Sequence, residues 1–192
     1  LRWGSQPPDL LQQGQHLRHG ARAVVVAVLG LGVEFGHRAA QFGDEHQGVV
    51  AETLVAAGIP FEAVPGVTAA AGAAAYTGIP LTHRDFAQAC VFVTGHLKDG
   101  TVDLDWDMLA RGKQTLVFYM GITQLATICD KLVAHGLPAT TPAAVVRRGT
   151  TKAQRVVTAD LATLPGAVKA AGITPPALTI VGDVVSLQPR LA

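Results

Sequence analysis

Residues 113–121 read Lys-Gln-Thr-Leu-Val-Phe-Tyr-Met-Gly, and residues 123–136 read Thr-Gln-Leu-Ala-Thr-Ile-Cys-Asp-Lys-Leu-Val-Ala-His-Gly. The first stretch carries an unbroken apolar run, Thr115–Met120, rich in β-branched and aromatic residues and of strand length. Such a run predicts a strand. The second carries apolar residues at 125, 126, 128, 132 and 133, a helical stripe that Gly136 ends. A strand feeding a helix is the unit of an α/β protein, and the rest of the chain is read outward from this pair.

Upstream, Ala89–Thr94 is a second apolar run of strand length, and Asp105–Arg111 between the two suits a short helix. Thr68–Tyr76 is alanine-rich, with Thr68 as N-cap and Gly78-Ile79-Pro80 as its stop. Phe61–Val64 predicts a short strand, and Val49–Ala57 a helix stopped by Gly58 and Pro60. Downstream, Ala143–Val146 and Arg155–Thr158 predict strands, Leu161–Ala171 a helix interrupted by Pro165, and Leu178–Val181 with Val184–Leu187 closing strands kinked at Gly182-Asp183. Before residue 47 only Ala23–Val33 reads as a buried strand. The fold class is α/β.

Composition narrows the function. Of 192 residues, 49% are hydrophobic and 15% charged, which excludes a disordered chain. A net charge of +1 makes no electrostatic case for nucleic acid or an anionic membrane. Ala23–Val33 is shorter than the roughly 20 residues a bilayer needs, and no small-residue cleavage site follows it. Cys90 and Cys129 cannot build a disulfide framework. A cytoplasmic protein is expected, with no nucleic-acid or membrane partner. The chain opens on Leu1 rather than Met, so a fragment or a misassigned start is expected.

Several constellations admit a functional and a plain reading. Gly30, Gly32 and Gly36 follow an apolar run, but the third glycine comes four residues after the second where a dinucleotide loop needs three, so a glycine-rich turn is preferred. His16, His19, His37 and His46 lack a cysteine or carboxylate at zinc-like spacing and read as solvated loop histidines, with no metal expected. Pro65-Gly66-Val67-Thr68 turns the chain into a helix start, either an anion-binding amide cluster or an ordinary strand–turn–helix join. Thr82-His83-Arg84-Asp85 offers an arginine fork for a carboxylate, or a surface Arg84–Asp85 ion pair. Thr94-Gly95-His96 and Tyr119-Met120-Gly121 end strands, where open α/β sheets hold ligands; otherwise Met120 is core packing.

From about residue 48 the chain resembles the tetrapyrrole methylase family, and within it the uroporphyrinogen-III C-methyltransferases, including the methylase part of sirohaem synthase. The matching segments are collinear over about three quarters of the chain: Ala57–Phe61, Val64–Ala69, Tyr76–Phe86, Val93–Lys98, Lys113–Gly121, Arg148–Thr150 and Ile180–Val185. Thr82-His83-Arg84-Asp85 with Tyr119-Met120-Gly121 is the subfamily-specific combination. The resemblance implies a two-domain α/β homodimer that binds S-adenosylmethionine between its domains. It implies methylation of uroporphyrinogen III at C2 and C7, giving precorrin-2 for sirohaem and cobalamin synthesis. Thr68, Ala69, Met120 and Gly149 would contact the cofactor, and Arg84 a substrate carboxylate.

The N-terminal part departs from that pattern. The family's opening Gly-x-Gly-Pro-Gly-Asp loop has no counterpart, and its Gly-Gly-Asp-Pro-Phe loop falls on Arg38-Ala39-Ala40-Gln41-Phe42. The family's acid/base candidates lie there, so the catalytic residues are unassigned. Residues 1–47 are read as an aberrant segment, 48–80 as the tail of the N-terminal cofactor-binding domain, and 81–192 as the C-terminal methylase domain. A gene-model or frame error is the expected cause, a divergent gene the alternative. The chain alone is expected to be weak or inactive. Alternative functions are another precorrin methyltransferase, or a non-catalytic dimerisation or interaction remnant.

Overall fold

The computed structural model describes residues 23–25, 33–35, 38–40, 51–63, 66–95 and 104–192. Ahead of the main body, β1 (Ala23–Val25) pairs in parallel with β4 (Phe61–Ala63), and β2 (Val33–Phe35) pairs antiparallel with β3 (Arg38–Ala40). Residues 51–56 are helical. The strand expected over Ala23–Val33 is therefore seen as Ala23–Val25 and the start of β2, and 26–32 lie outside the described residues. The Gly30–Gly36 turn and the four N-terminal histidines cannot be placed, because Gly30, Gly32, Gly36, His16, His19, His37 and His46 lie outside them as well.

The body is a five-stranded mixed sheet in the order β5-β6-β9-β7-β8. Its strands are β5 (Ala89–Thr94), β6 (Gln114–Tyr119), β7 (Pro142–Arg147), β8 (Arg155–Asp160) and β9 (Ala177–Val181). β5 and β6 run parallel, and every other pairing is antiparallel. Burial follows position: four successive residues are buried in each of β6, β7 and β9, while the edge strands β5 and β8 stay largely half-exposed. The interior strands are the ones whose sequences are apolar without alternation, because both of their faces are covered.

Alternate residues of β6 enter different cores. Leu116 and Phe118 join the side packed by α2 (Trp106–Leu109), α3 (Leu125–Ala134) and α4 (Leu164–Ala170). Val117 joins the other side, with Ala70 and Ala73 of α1 (Ala69–Thr77), Ile79, Ala87, Val184 and Val185. In α3 the buried stripe is Leu125, Ile128, Cys129 and Leu132, the i, i+3, i+4, i+7 pattern of one face. Ala126 and Val133, counted in the sequence stripe, lie outside it.

Two expectations change. Leu161–Ala171 narrows to α4, which begins at Leu164; Pro165 sits in its first turn, where a missing N–H costs nothing, rather than interrupting it. Val184–Leu187 is not a strand but part of a 3-10 helix over Asp183–Leu187, followed by α5 (Gln188–Leu191). Gly182, at φ 138°, turns the chain out of β9, and the Val185 amide then donates to the Gly182 carbonyl. No helix among the described residues is long and apolar enough to cross a membrane.

Candidate functional site

The candidate site gathers where β6 and β7 end. The sequence places Thr68 immediately before α1, and the structure makes it the N-cap: Oγ1 accepts from the amides of Ala70 at 3.0 Å and Ala71 at 3.3 Å. A capping hydroxyl satisfies amides that the first helical turn leaves without partners. The same oxygen lies 3.1 Å from Oη of Tyr119, the last residue of β6, and Tyr119 Oη also accepts from the Ala70 amide at 3.2 Å. The helix start is thus tied to the strand end that carries Met120. At the other end of α1, Gly78 takes the left-handed conformation, φ 67°, and closes the helix as its sequence predicts.

Met120 has φ 53°, a region that disfavours side chains with a Cβ, and it is 37% exposed. Its reading as core packing fails on that exposure. The chain passes on into Gly121, whose Cα would lie 2.6 Å from a Cβ built on Gly95. Gly95 donates its amide to the Tyr119 carbonyl at 2.7 Å, so the ends of β5 and β6 close on each other backbone to backbone.

The loop after β7 completes the arrangement. Arg148 and Thr150 on either side of Gly149 both have positive φ, 50° and 66°. A Cβ on Gly149 would sit 3.6 Å from Ala73, and one on Gly72 would sit 3.0 Å from Thr150 Cγ2. The small residues of α1 therefore admit the protein's own loop. Gln154 pins it: its side-chain oxygen accepts the Thr150 amide at 2.9 Å, and its side-chain nitrogen donates to the Tyr76 carbonyl at 3.1 Å. Strained backbone persists where surrounding structure over-determines it, commonly at ligand sites. Three of the four non-glycine positive-φ residues among those described fall here.

The structure thus brings the segments of Thr68 and Ala69, Met120, and Gly149 onto one helix. It does not bring Arg84 to them. Arg84 lies at the tip of a turn closed by His83 and Ala87, whose amides and carbonyls exchange bonds of 2.8 and 2.9 Å. Gln88 ties that turn to Lys113, before the start of β6, whereas Met120 follows its end. The six residues of β6, roughly 20 Å of strand, lie between that anchor and Met120. Arg84 is exposed and forms no ion pair with Asp85 or any other described residue. Asp85 turns instead toward His83: its amide donates to His83 Nδ1 at 3.1 Å, and its carboxylate lies 3.8 Å from the same nitrogen. His96 lies outside the described residues.

Sequence reasoning placed Tyr119 in a pocket wall and missed its bonds to α1; it missed Gln154 altogether. A tyrosine ending an otherwise apolar buried strand was the available signal, since a phenol at such a position needs a polar partner. Among the described residues no three histidine, cysteine or acidic side chains could hold a metal ion.

Residues 46–165 match the family described as Tetrapyrrole (Corrin/Porphyrin) Methylases. The chain belongs to the tetrapyrrole methylases. This methylase is 64% identical over 141 residues to the siroheme synthase of Nitrosospira multiformis, an alignment covering 73% of the chain and 30% of that protein. It spans about 30% of the length of the curated relatives it matches. Its fold is similar to uroporphyrin III C-methyl transferase from Thermus thermophilus, with TM-score 0.65, 33% identity, and coverage of 75% of this chain and 60% of that one. A second structure of the Thermus thermophilus enzyme, complexed with S-adenyl homocysteine, matches with TM-score 0.63 and 33% identity, covering 75% of this chain and 62% of that one. The expected α/β tetrapyrrole methylase fold is thereby established, with the mixed five-stranded sheet as its recognisable part.

Proposed function

We propose that the chain contributes the methyl-transferring site of a uroporphyrinogen-III C-methyltransferase of the siroheme synthase type, with S-adenosylmethionine as methyl donor. The observation that carries this is the convergence on α1 of the segments that hold Thr68-Ala69, Met120 and Gly149, through Tyr119 and the loop after β7. The donor set fits the cofactor. The Ala69 amide has no acceptor among the described residues, and S-adenosylmethionine presents carboxylate and ribose oxygens that would take it. When bound, the cofactor supplies an electrophilic methyl for attack by a pyrrole carbon. The chain's part is to hold the two reactants in line and exclude water.

Arg84 is proposed to hold a carboxylate on the rim of the macrocycle. Its distance along the sheet from Met120 suits a wide substrate that carries carboxylates all round and reacts at one side. The division at residue 80, a homodimeric assembly, and a product that is precorrin-2 belong to the same proposal. So does slow turnover: at 38–42 the chain carries Arg-Ala-Ala-Gln-Phe where the family has two glycines and an aspartate, so small-residue access and a polar contact are lost.

The test is calorimetric titration of the purified chain with S-adenosylhomocysteine, followed by incubation with S-adenosylmethionine and uroporphyrinogen III. Binding with methylated product formed slowly or not at all is expected. No binding and no product would overturn the assignment. Turnover as fast as that of a full-length relative would overturn only the slow-turnover clause.

A further inference from the structure

We infer that Gln154 is a positioning residue for the cofactor: its side-chain amide bridges the Gly149 loop to α1 and holds that loop in its binding conformation. The inference rests on the reading above that Gly149 contacts S-adenosylmethionine. The loop is strained. Arg148 and Thr150 flank Gly149 at φ 50° and 66°, a region that disfavours side chains with a Cβ. Backbone held there persists only where its surroundings over-determine it. Local turns alone bring Gln154 back over the loop: Thr151 Oγ1 donates to the Arg148 carbonyl at 2.8 Å, and the Gln154 amide donates to the Thr151 carbonyl at 3.0 Å.

The remaining restraint comes from one side of α1. Gly72, Ala73 and Tyr76 fall there at i, i+1 and i+4. Gly72 and Ala73 take the loop by contact, with Thr150 Cγ2 and the Gly149 backbone against them. Tyr76 offers a carbonyl in the last turn of the helix. Its ordinary partner would be the amide four residues on, but that residue is Pro80, which has no N–H. The Gln154 side-chain nitrogen takes that place at 3.1 Å, while its oxygen accepts the Thr150 amide at 2.9 Å. These partners fix which way the amide points. Tyr76 can only accept and the Thr150 amide can only donate, so a flipped amide would lose both bonds at once. One side chain therefore satisfies an orphaned helix carbonyl and a strained loop amide together.

The experiment titrates the unaltered chain, Gln154→Ala and Gln154→Glu with S-adenosylhomocysteine over a pH series, with thermal unfolding in parallel. Gln154→Ala loses both arms, and its affinity is expected to fall roughly ten-fold, the scale of one or two neutral hydrogen bonds. Gln154→Glu is the sharper probe. Ionised, it keeps an acceptor for the Thr150 amide but sets a carboxylate against the Tyr76 carbonyl; protonated, it regains a donor. Its affinity, taken as a ratio to the unaltered chain at each pH, is expected to be low at neutral pH. It should recover as pH falls toward about 4–5, the ordinary glutamate range. This pH profile reads the bridge even if Gln154→Ala does not fold. A lowered melting temperature with undiminished affinity in both variants, the unaltered chain binding normally, makes the bond purely structural. That outcome overturns the inference and leaves the cofactor reading standing. A loss in Gln154→Glu that acidification does not recover overturns it too, because the Tyr76 arm then plays no part. No binding by the unaltered chain overturns both readings.

Discussion

The Cα of Gly121 lies 2.6 Å from the point where a side chain on Gly95 would begin. The Gly121 amide, at 3.1 Å, and the Tyr119 carbonyl, at 3.2 Å, crowd the same point. All three obstacles are backbone, so none can swing aside. Gly95→Ala must therefore push apart the ends of β5 and β6, with an overpacking cost of about 1–3 kcal/mol. Because Met120 rides on the displaced stretch, affinity for S-adenosylhomocysteine is expected to fall as well. Gly112→Ala, where a Cβ meets nothing within 4 Å, is the matched control. Denaturant unfolding and calorimetry check both; an unaffected Gly95→Ala contradicts the close approach.

The capping hydroxyl of Thr68 makes a separate prediction. Thr68→Ala deprives the Ala71 amide of its acceptor, leaves the Ala70 amide only Tyr119 Oη, and removes the Thr68–Tyr119 bond. Loss of an N-cap costs about 0.5–2 kcal/mol, and Thr68→Ser should restore most of it. Chemical denaturation of the three proteins measures the difference. Equal midpoints for alanine and threonine would mean that the cap carries no load.

How much of this was legible before the structure depends on the range of the interaction. Gln114–Tyr119 and Ala89–Thr94 could be read as strands because burial on both faces, or packing of an edge, shows in a few consecutive residues. Thr68 and Gly78 announced the ends of α1 through local backbone chemistry. Val184–Leu187 was misread because a short apolar run has no period of its own. The φ of Gly182 decides it, and that angle answers to the Gln114 carbonyl, only 2.9 Å from where a Cβ would lie. The Tyr119–Thr68 bond spans 51 residues and Gln154–Tyr76 spans 78, so no local pattern encodes either. Arg84 was recognisable as a carboxylate fork, but its separation from Met120 is a property of strand direction, which composition does not carry.

Thr179 in the central strand offers the opposite case to Thr68. Its hydroxyl is buried, has no hydrogen-bond partner among the described residues, and lies between Phe118 and Val145 in register. Thr179→Val keeps the β-branched shape and removes an unsatisfied polar atom. Such a change is neutral or stabilising, here by up to about 1 kcal/mol. A destabilised valine variant in urea titration would show that the hydroxyl has a partner after all.

Cys129 should be the slower thiol. Burial first and the neighbouring Asp130 carboxylate second push its pKa up to about 12 from 9.0. Cys90, half-buried on the edge strand, is raised by burial alone. The thiolate is the reactive form, so at pH 8 iodoacetamide should modify Cys90 first and Cys129 only after unfolding. The linkage has a definite sign. The folded state holds the Cys129 proton more tightly than the unfolded chain, so its contribution is whole below about pH 9 and fades as pH rises toward 12. Peptide mass spectrometry after timed alkylation reads the order; modification of Cys129 in the native protein at the rate of Cys90 refutes it.

Arg84 separates substrate binding from cofactor binding. Its guanidinium is exposed and unpaired among the described residues, so Arg84→Ala removes a charge without breaking a contact, and stability should hold within about 0.5 kcal/mol. A charge-assisted bond to a carboxylate is worth about 1.5–3 kcal/mol, which predicts a rise in KM for uroporphyrinogen III of roughly ten-fold or more. Affinity for S-adenosylhomocysteine should not move, because the turn holding Arg84 joins the sheet at the start of β6 and the cofactor residues gather at its end. Arg84→Lys keeps the charge but not the fork, and should recover only part of the loss. An unchanged KM in Arg84→Ala would remove Arg84 from the substrate site. A fall in S-adenosylhomocysteine affinity would instead show that the two ends of β6 act on one ligand.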